Sequence, residues 1–352
     1  MYEQLVAVAP RKAEILPYED REIQPNEVRV KIKYASPKHG SELADFRGET
    51  PFLNEYFDSE WNLFMKREQP GEGVKFGEWN LGNQWVGEII EVGSEVKDYQ
   101  LGDTVCSYGG IRETHIVNAV DNHRLLNVPE NMSWKNAVCY DPAQFALGGV
   151  RDSGFRPGDR VAVIGLGAIG QLAAQMVKKA GASYVAVVDP IEVRREAALK
   201  AGADVAFDSI KDDVGFELKK ATDRMGVDII IETSANQYAL QDSLRGLAYG
   251  GTIAFVGWAR EFRAGLNLGR EAHFNNAKIV FSRAASEPNP DYPRWNRRRI
   301  EEVSWEMLSN GTLNCEYIVS PVVPFQESAK AYCEYVDHHP EKSIKLGVTF
   351  QK

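Results

Sequence analysis

Cysteine is scarce in this chain: four residues in 352, Cys106, Cys139, Cys315 and Cys333, too widely spaced for a paired zinc-ribbon pattern or a dense disulfide frame. They read as reduced, partly buried thiols. Long apolar runs are missing as well: no stretch reaches the length of a membrane helix, and the N-terminal MYEQLVAVAPRKAEILPYEDRE has no secretion-signal core. A soluble cytoplasmic protein with no membrane partner is expected. Nor is there an excess of positive charge, with 41 Lys and Arg against 50 Asp and Glu for a formal net charge of -9. The one basic cluster, RWNRRR near Arg294, reads equally as a solvated face, so no nucleic-acid partner is expected.

What remains is an ordinary globular composition, 43% hydrophobic, long enough for two domains. Up to about residue 155 the pattern is strand-like. EVRVKIKY, WVGEIIEVG, DTVCSYGG and RETHIV read as short strands, with VGSEVKDYQLGD supplying turns. Between Glu49 and Leu81 lies a polar, aromatic-rich passage with little periodicity, expected to be a large loop or short helices packed over the domain. From RPGDRVAVIGLGAIG onward strands and helices alternate: VAVIG, IGQLAAQMVKKAG, YVAVVD, VRREAALKAGAD, and so on to TIAFVGW. That order is what a parallel sheet covered on both faces requires. The tail from Asp291, an amphipathic helix RRRIEEVSWEMLSNG and a helix returning to a final strand, is too short for a third domain and is expected to complete the first. The organisation predicted is therefore 1–155, 156–290 and a completing segment 291–352.

GLGAIG, comprising Gly165, Leu166, Gly167, Ala168, Ile169 and Gly170, is a G-x-G-x-x-G run. Alone that pattern is weak. Here it follows a buried strand, opens a helix, and precedes Asp189 at the end of the next strand, which makes it a dinucleotide-binding signature. Gly165 permits the tight turn, Gly167 lets the backbone approach a pyrophosphate, and Gly170 allows close helix packing. A carboxylate at Asp189 suits ribose hydroxyls and repels a 2′-phosphate, so NAD is expected over NADP, although Arg194 and Arg195 stand close by.

With these landmarks the chain resembles the medium-chain dehydrogenase/reductase superfamily. VRVKIKY with its loop, GNQWVGEIIEVG, GDTV, DPAQFALGGV, GLGAIG and KSIKLGV occur in the family's order over nearly the whole length. The resemblance implies a GroES-like, mostly-β catalytic domain interrupted by a Rossmann domain, a homodimer or homotetramer, and a dehydrogenase acting on alcohols or polyols. It also implies a comparison of metal ligands. Zinc-dependent members carry a cysteine, then Gly or His, a hydroxyl residue and an acid, where this chain has His39, Gly40, Ser41 and Glu42. Their Gly-His-Glu triplet is Gly82, Asn83 and Gln84 here, and their glutamate before proline is Asp141 before Pro142. All three ligand positions are altered, so catalytic zinc is not expected, although His39 and Asp141 together leave a weak metal site open.

Hydride transfer still needs a group for the reacting oxygen. The resemblance makes His39 the first candidate, with Asp141 to orient it or share its proton and Ser41 to pass the proton on. Asn83 and Gln84 are candidates for substrate hydroxyls, Glu42 for bracing the loop or a relay, and Lys38 for a minor positive partner. A plain loop histidine, and an Asp141 that caps the helix starting near Pro142, are the structural alternatives. In the second domain Thr233, Ser234, Val256 and Gly257 end strands at the edge where the nicotinamide half lies, and Ser282 follows another strand; each is a candidate for the cofactor or a simple turn. The DPAQFALGGV segment looks like the polyol and sugar branch, and a pocket of His39, Asn83, Gln84 and Asp141 suits several hydroxyls. Tyr56, Trp61 and Trp79 would line a substrate wall or pack against the core. A secondary alcohol–ketone interconversion on a sugar or cyclitol is the reading; a zinc-dependent polyol dehydrogenase, a zinc-free quinone or enoyl reductase, and a cofactor sensor are the competitors.

Overall fold

A computed structural model describes residues 1–258, 261–263 and 265–350, with Ser41 described by its backbone alone. The chain divides into two units, one of residues 1–129 with 321–352 and one of residues 130–320.

The first unit opens on an antiparallel hairpin, β1 (Tyr2–Ala9) and β2 (Lys12–Tyr18), which the sequence reading did not draw. Then come β3 (Glu27–Ser36) and a short helix α1 (Ser41–Phe46). The expected loop or helices over the domain is instead a single turn at Pro51–Leu53 and a second hairpin, β4 (Glu55–Asp58) and β5 (Leu63–Lys66). Its side chains stand in solvent: Trp61 is 68% exposed and Tyr56 38%, while Trp79 packs against the core, one of its two expected uses. Strands β6 (Gln84–Val92), β7 (Thr104–Tyr108), β8 (Thr114–Asn118) and β9 (Leu126–Asn127) follow. The alternation VRVKIKY forms the middle of β3 because period two puts Val28, Val30 and Ile32 on one buried face.

The second unit begins with α2 (Trp134–Ala137) and α3 (Tyr140–Asp152). Strands β10 (Arg160–Ile164), β11 (Tyr184–Val188), β12 (Val205–Phe207), β13 (Val227–Glu232), β14 (Leu247–Phe255) and β15 (Lys278–Phe281) then alternate with α4 (Ala168–Lys179), α5 (Glu192–Lys200), α6 (Val214–Ala221) and α7 (Gln237–Gly246), and α8 (Glu271–Phe274) precedes β15. All pairs are parallel, in the order β12-β11-β10-β13-β14-β15. This is the doubly wound arrangement, with its switch point between β10 and β13. Strands covered on both faces read as continuous apolar runs, and Val161, Ala162, Val163 and Ile164 are all buried. Helix α9 (Arg297–Ser309) packs on α2 and α3, so residues 130–155 and 291–320 group with the second unit and the division falls at 129 and 320.

The chain returns to the first unit with β16 (Val319–Pro324), α10 (Ser328–Tyr332) and β17 (Lys345–Thr349). These complete a sheet ordered β16-β17-β3-β6-β7-β9, with β8 also on β3. Leu346 and Val348 enter the same core as Val30, Trp85 and Phe46.

Candidate active site

In the first unit the loop after β3 is tied to the last strand of the chain. Ser36 Oγ donates to the Leu346 carbonyl (2.6 Å), Lys345 Nζ donates to the Pro37 carbonyl (2.8 Å), and the Leu346 amide donates to His39 Nε2 (3.1 Å). A backbone N–H cannot accept, so Nε2 presents its lone pair and the ring proton sits on Nδ1. His39 is held as the tautomer that donates from Nδ1. Losing that proton as well would leave an imidazolate, so the histidine suits stabilisation of an oxyanion better than abstraction of a proton.

Glu42 lies one helical turn on and is buried. Its carboxylate accepts the Lys38 amide (3.1 Å), the Gly82 amide (3.2 Å) and the Tyr332 hydroxyl (2.8 Å). Burial pushes the carboxyl up to about 7, against the opposing pull of these three donors and of the Lys345 charge. The Tyr332 hydroxyl is driven well above its ordinary range by its own burial and by the neighbouring carboxylate. One side chain thus joins the His39 loop, the approach to β6 and α10.

Gly82 holds φ 137°, and a Cβ there would stand 2.6 Å from the Ile111 nitrogen, so no other residue fits. The next residue, Asn83, gives its amide to the Ser36 carbonyl (3.0 Å) and accepts from the Gly109 amide (3.0 Å). Its side-chain nitrogen is buried with no acceptor among the described residues, a donor with capacity to spare. Gln84, fully buried, opens β6 opposite Ser36. His39, Glu42, Asn83 and Gln84 therefore meet where β3, β6 and β17 converge. Tyr332 and Lys345 belong to the same cluster and escaped the sequence reading; a lysine at the start of the apolar final strand was the only hint of the second.

This donor set does not fit a catalytic zinc with three protein ligands. Asn83 presents an amide where an imidazole would be needed, the His39 Nε2 lone pair is already engaged, and among the described residues no three His, Cys, Asp or Glu side chains converge.

In the second unit the glycine turn shows why each position is glycine. A Cβ on Gly165, at φ 85°, would lie 2.7 Å from the Ser234 nitrogen, and one on Gly170 would lie 1.8 Å from the Gly165 carbonyl oxygen. A Cβ on Gly167 would meet nothing within 4 Å, which is the open approach a pyrophosphate needs. Ala168 and Ile169 open α4, whose N-terminus no side chain caps. Asp189 is 3% exposed and accepts the Leu166 amide (2.7 Å) and the Ile191 amide (2.8 Å), so it braces the turn as well as closing β11. Arg195 turns away to Asp208 (3.2 Å) and the Asp189 carbonyl (2.7 Å), while Arg194 stands 3.9 Å from the Asp189 carboxylate. These residues fit a dinucleotide.

The other candidates form a supporting layer. Thr233 Oγ1 donates to the Gly165 carbonyl (2.7 Å), and the Ser234 hydroxyl bonds the carboxylate of Glu232. Glu232 is fully buried, shifted upward by that burial, and its carbonyl accepts the amides of Val256 (2.8 Å) and Gly257 (3.2 Å). It locks the ends of β13 and β14 together, and its position directly after the apolar run Ile229, Ile230, Ile231 was the signal for it. Ser282 Oγ donates to Asp152 (2.6 Å), tying β15 to α3. Asp141 lies within the first turn of α3, after a Cys139 cap, so it is not the capping residue; a buried carboxylate there is favoured by the helix dipole. The proposed role of Ser41 concerns a side chain outside the described residues.

Residues 168–298 match the family model for zinc-binding dehydrogenases. The chain is 58% identical over 347 residues to D-guloside 3-dehydrogenase of Escherichia coli (strain K12), covering 98% of this chain and 99% of that protein. Among solved structures, 2R,3R-butanediol dehydrogenase of Bacillus subtilis superposes with a TM-score of 0.76 at 19% identity over 100% of both chains. An alcohol dehydrogenase of E. coli CFT073 complexed with NADH does so with a TM-score of 0.74 at 21% identity over 99% of both.

Proposed function

The chain belongs to the medium-chain dehydrogenase/reductase superfamily, among the zinc-binding dehydrogenases, and from that membership we propose that it oxidises a ring secondary alcohol of a sugar glycoside to the ketone with NAD and without catalytic zinc. The observation that carries the substrate is the near-full-length relationship to a D-guloside 3-dehydrogenase. The altered ligand set carries the absence of zinc.

NAD, which the turn from Gly165 to Gly170 and Asp189 would hold, would supply the acceptor for the hydride that leaves the alcohol carbon. His39 donates from Nδ1 to the oxygen as charge develops on it, and the Asn83 amide adds a second donor, together replacing the electrophile that zinc supplies in relatives. Asp141 is the candidate acceptor for the alcohol proton, Ser41 for its passage outward, and Gln84 for a further substrate hydroxyl. Asp189 selects NAD because its buried carboxylate already lies against the turn and repels a 2′-phosphate. The supporting Thr233, Ser234, Val256, Gly257 and Ser282 hold the cofactor platform in shape. The protein acts in the cytoplasm on a small polar substrate.

Turnover of D-guloside and other glycosides with NAD and NADP, before and after exhaustive chelation, tests this reading. Activity with NAD that survives chelation in metal-free protein is expected. Loss on chelation with recovery on added zinc removes the metal-free part, and turnover of enones or quinones with no activity on glycosides removes the substrate class.

A further inference from the structure

Helix α4 buries two glutamines one turn apart and uses them differently. Gln175, 3% exposed, gives both ends of its amide to one residue: Nε2 donates to the Asn314 carbonyl (2.9 Å) and Oε1 accepts the Asn314 amide (2.9 Å). That is a satisfied structural contact. Gln171, 1% exposed, works through Nε2 alone, which donates to the Arg194 carbonyl (2.7 Å) and to the Leu166 carbonyl (3.3 Å), while its Oε1 is buried with no partner among the described residues. The amide cannot be turned round, because that would set Oε1 against two carbonyl oxygens. An apolar side chain of similar size would fill the place without burying an unpaired acceptor, so packing does not account for a glutamine here.

The two carbonyls do account for it. Leu166 lies in the glycine turn and Arg194 in the first turn of α5, and Asp189 joins the same two segments with the opposite polarity. Its carboxylate accepts the Leu166 amide (2.7 Å) and the Ile191 amide (2.8 Å), and the Arg194 amide donates to the Ile191 carbonyl (3.2 Å). Leu166, Asp189, Ile191, Arg194 and Gln171 therefore close a ring of hydrogen bonds, with Leu166 held by its N–H on one side and by its C=O on the other. We propose that Gln171 is a positioning residue of the dinucleotide site, fixing the turn that meets the pyrophosphate at a set distance from the segment that meets the adenosine ribose. This rests on the reading of GLGAIG as a dinucleotide turn. A ligand that bridges two segments binds tightly when their spacing is preset and loses affinity when binding must order them; a ligand that touches one segment is indifferent to the spacing.

Gln171→Met removes both donated bonds at nearly constant volume. It exchanges one buried orphan for another, the Gln171 Oε1 for the Leu166 carbonyl, so Tm is expected within ~2 °C of the wild type. Calorimetric titration with NAD and NADP is expected to give, for whichever the wild type binds more tightly, a Kd raised ~10-fold, while adenosine, which has no phosphate to meet the turn, stays within ~2-fold of the wild type by displacement. A purely structural glutamine does the reverse, lowering Tm with dinucleotide affinity intact, and that result overturns the proposal. Adenosine weakened as much as the dinucleotide also overturns it, since Gln171 would then shape the ribose side alone. If Gln171→Met does not fold, Gln171→Asn, whose amide is too short to reach both carbonyls, is held to the same split between dinucleotide and adenosine. A wild-type chain that binds neither dinucleotide removes the reading of the turn itself; a wild type that binds one, with a variant that matches it, removes only Gln171.

Discussion

The glycine turn of the second unit and the His39 loop of the first solve the same problem, holding groups at fixed distances, by opposite means. The turn works because side chains are missing: backbone comes within van der Waals range of backbone at Gly165 and Gly170. The loop works because side chains are present, with Glu42, Tyr332, Lys345 and His39 each bridging to a different segment. A site made of backbone is broken by adding an atom, and a site made of side chains by removing one.

The harshest break is Gly170→Ala, since its Cβ would fall 1.8 Å from the Gly165 oxygen and the helix must back away from the strand. Binding of NAD, measured by titration calorimetry, is expected to weaken by more than ~1000-fold, about 4 kcal/mol. His39→Ala removes a donor from the other kind of site. The kcat for glycoside oxidation is expected to fall ~100- to 1000-fold with NAD affinity unchanged, the loss seen when one oxyanion donor is removed; an undiminished kcat takes His39 out of the reaction.

Glu42→Gln acts through pH. A carboxyl raised to about 7 from its ordinary 4.5 keeps its proton in the folded chain after the unfolded chain has lost it. Stability therefore falls as pH rises from about 4.5 to about 7 and is flat beyond either end, a total on the order of 3 kcal/mol. Thermal unfolding across that window should show the slope in the wild type and lose this contribution in Glu42→Gln. The mildest change sharpens the contrast. Gly167→Ala adds a Cβ that meets nothing within 4 Å, so Tm should be unchanged while NAD affinity drops ~10-fold, because the added methyl occupies the approach to the pyrophosphate. A lowered Tm would mean that Gly167 serves the fold instead.

The two sites were unequally legible for the same reason. The turn's whole logic lies within six residues and an aspartate on the next strand, so spacing alone exposed it. Glu42 and Tyr332 are 290 positions apart, and His39 and Leu346 are 307 apart. No local pattern pairs such residues. The family pattern located His39, Asn83 and Asp141 but not the amide that sets the His39 tautomer. The ribbon at Glu55–Lys66 was missed because its strands lack the polar–apolar alternation of a half-buried sheet: with both faces in solvent, nothing within the chain selects one side.

Local order along the chain therefore determined the two-part architecture, the parallel sheet and the dinucleotide turn, since hydrophobic period and glycine spacing act over a few residues. Only the tertiary structure decided which nitrogen of His39 carries its proton, how far burial lifts Glu42, and that the apolar ribbon stands uncovered. Those properties depend on which distant groups share a low-dielectric space, and that is settled when β17 closes against β3.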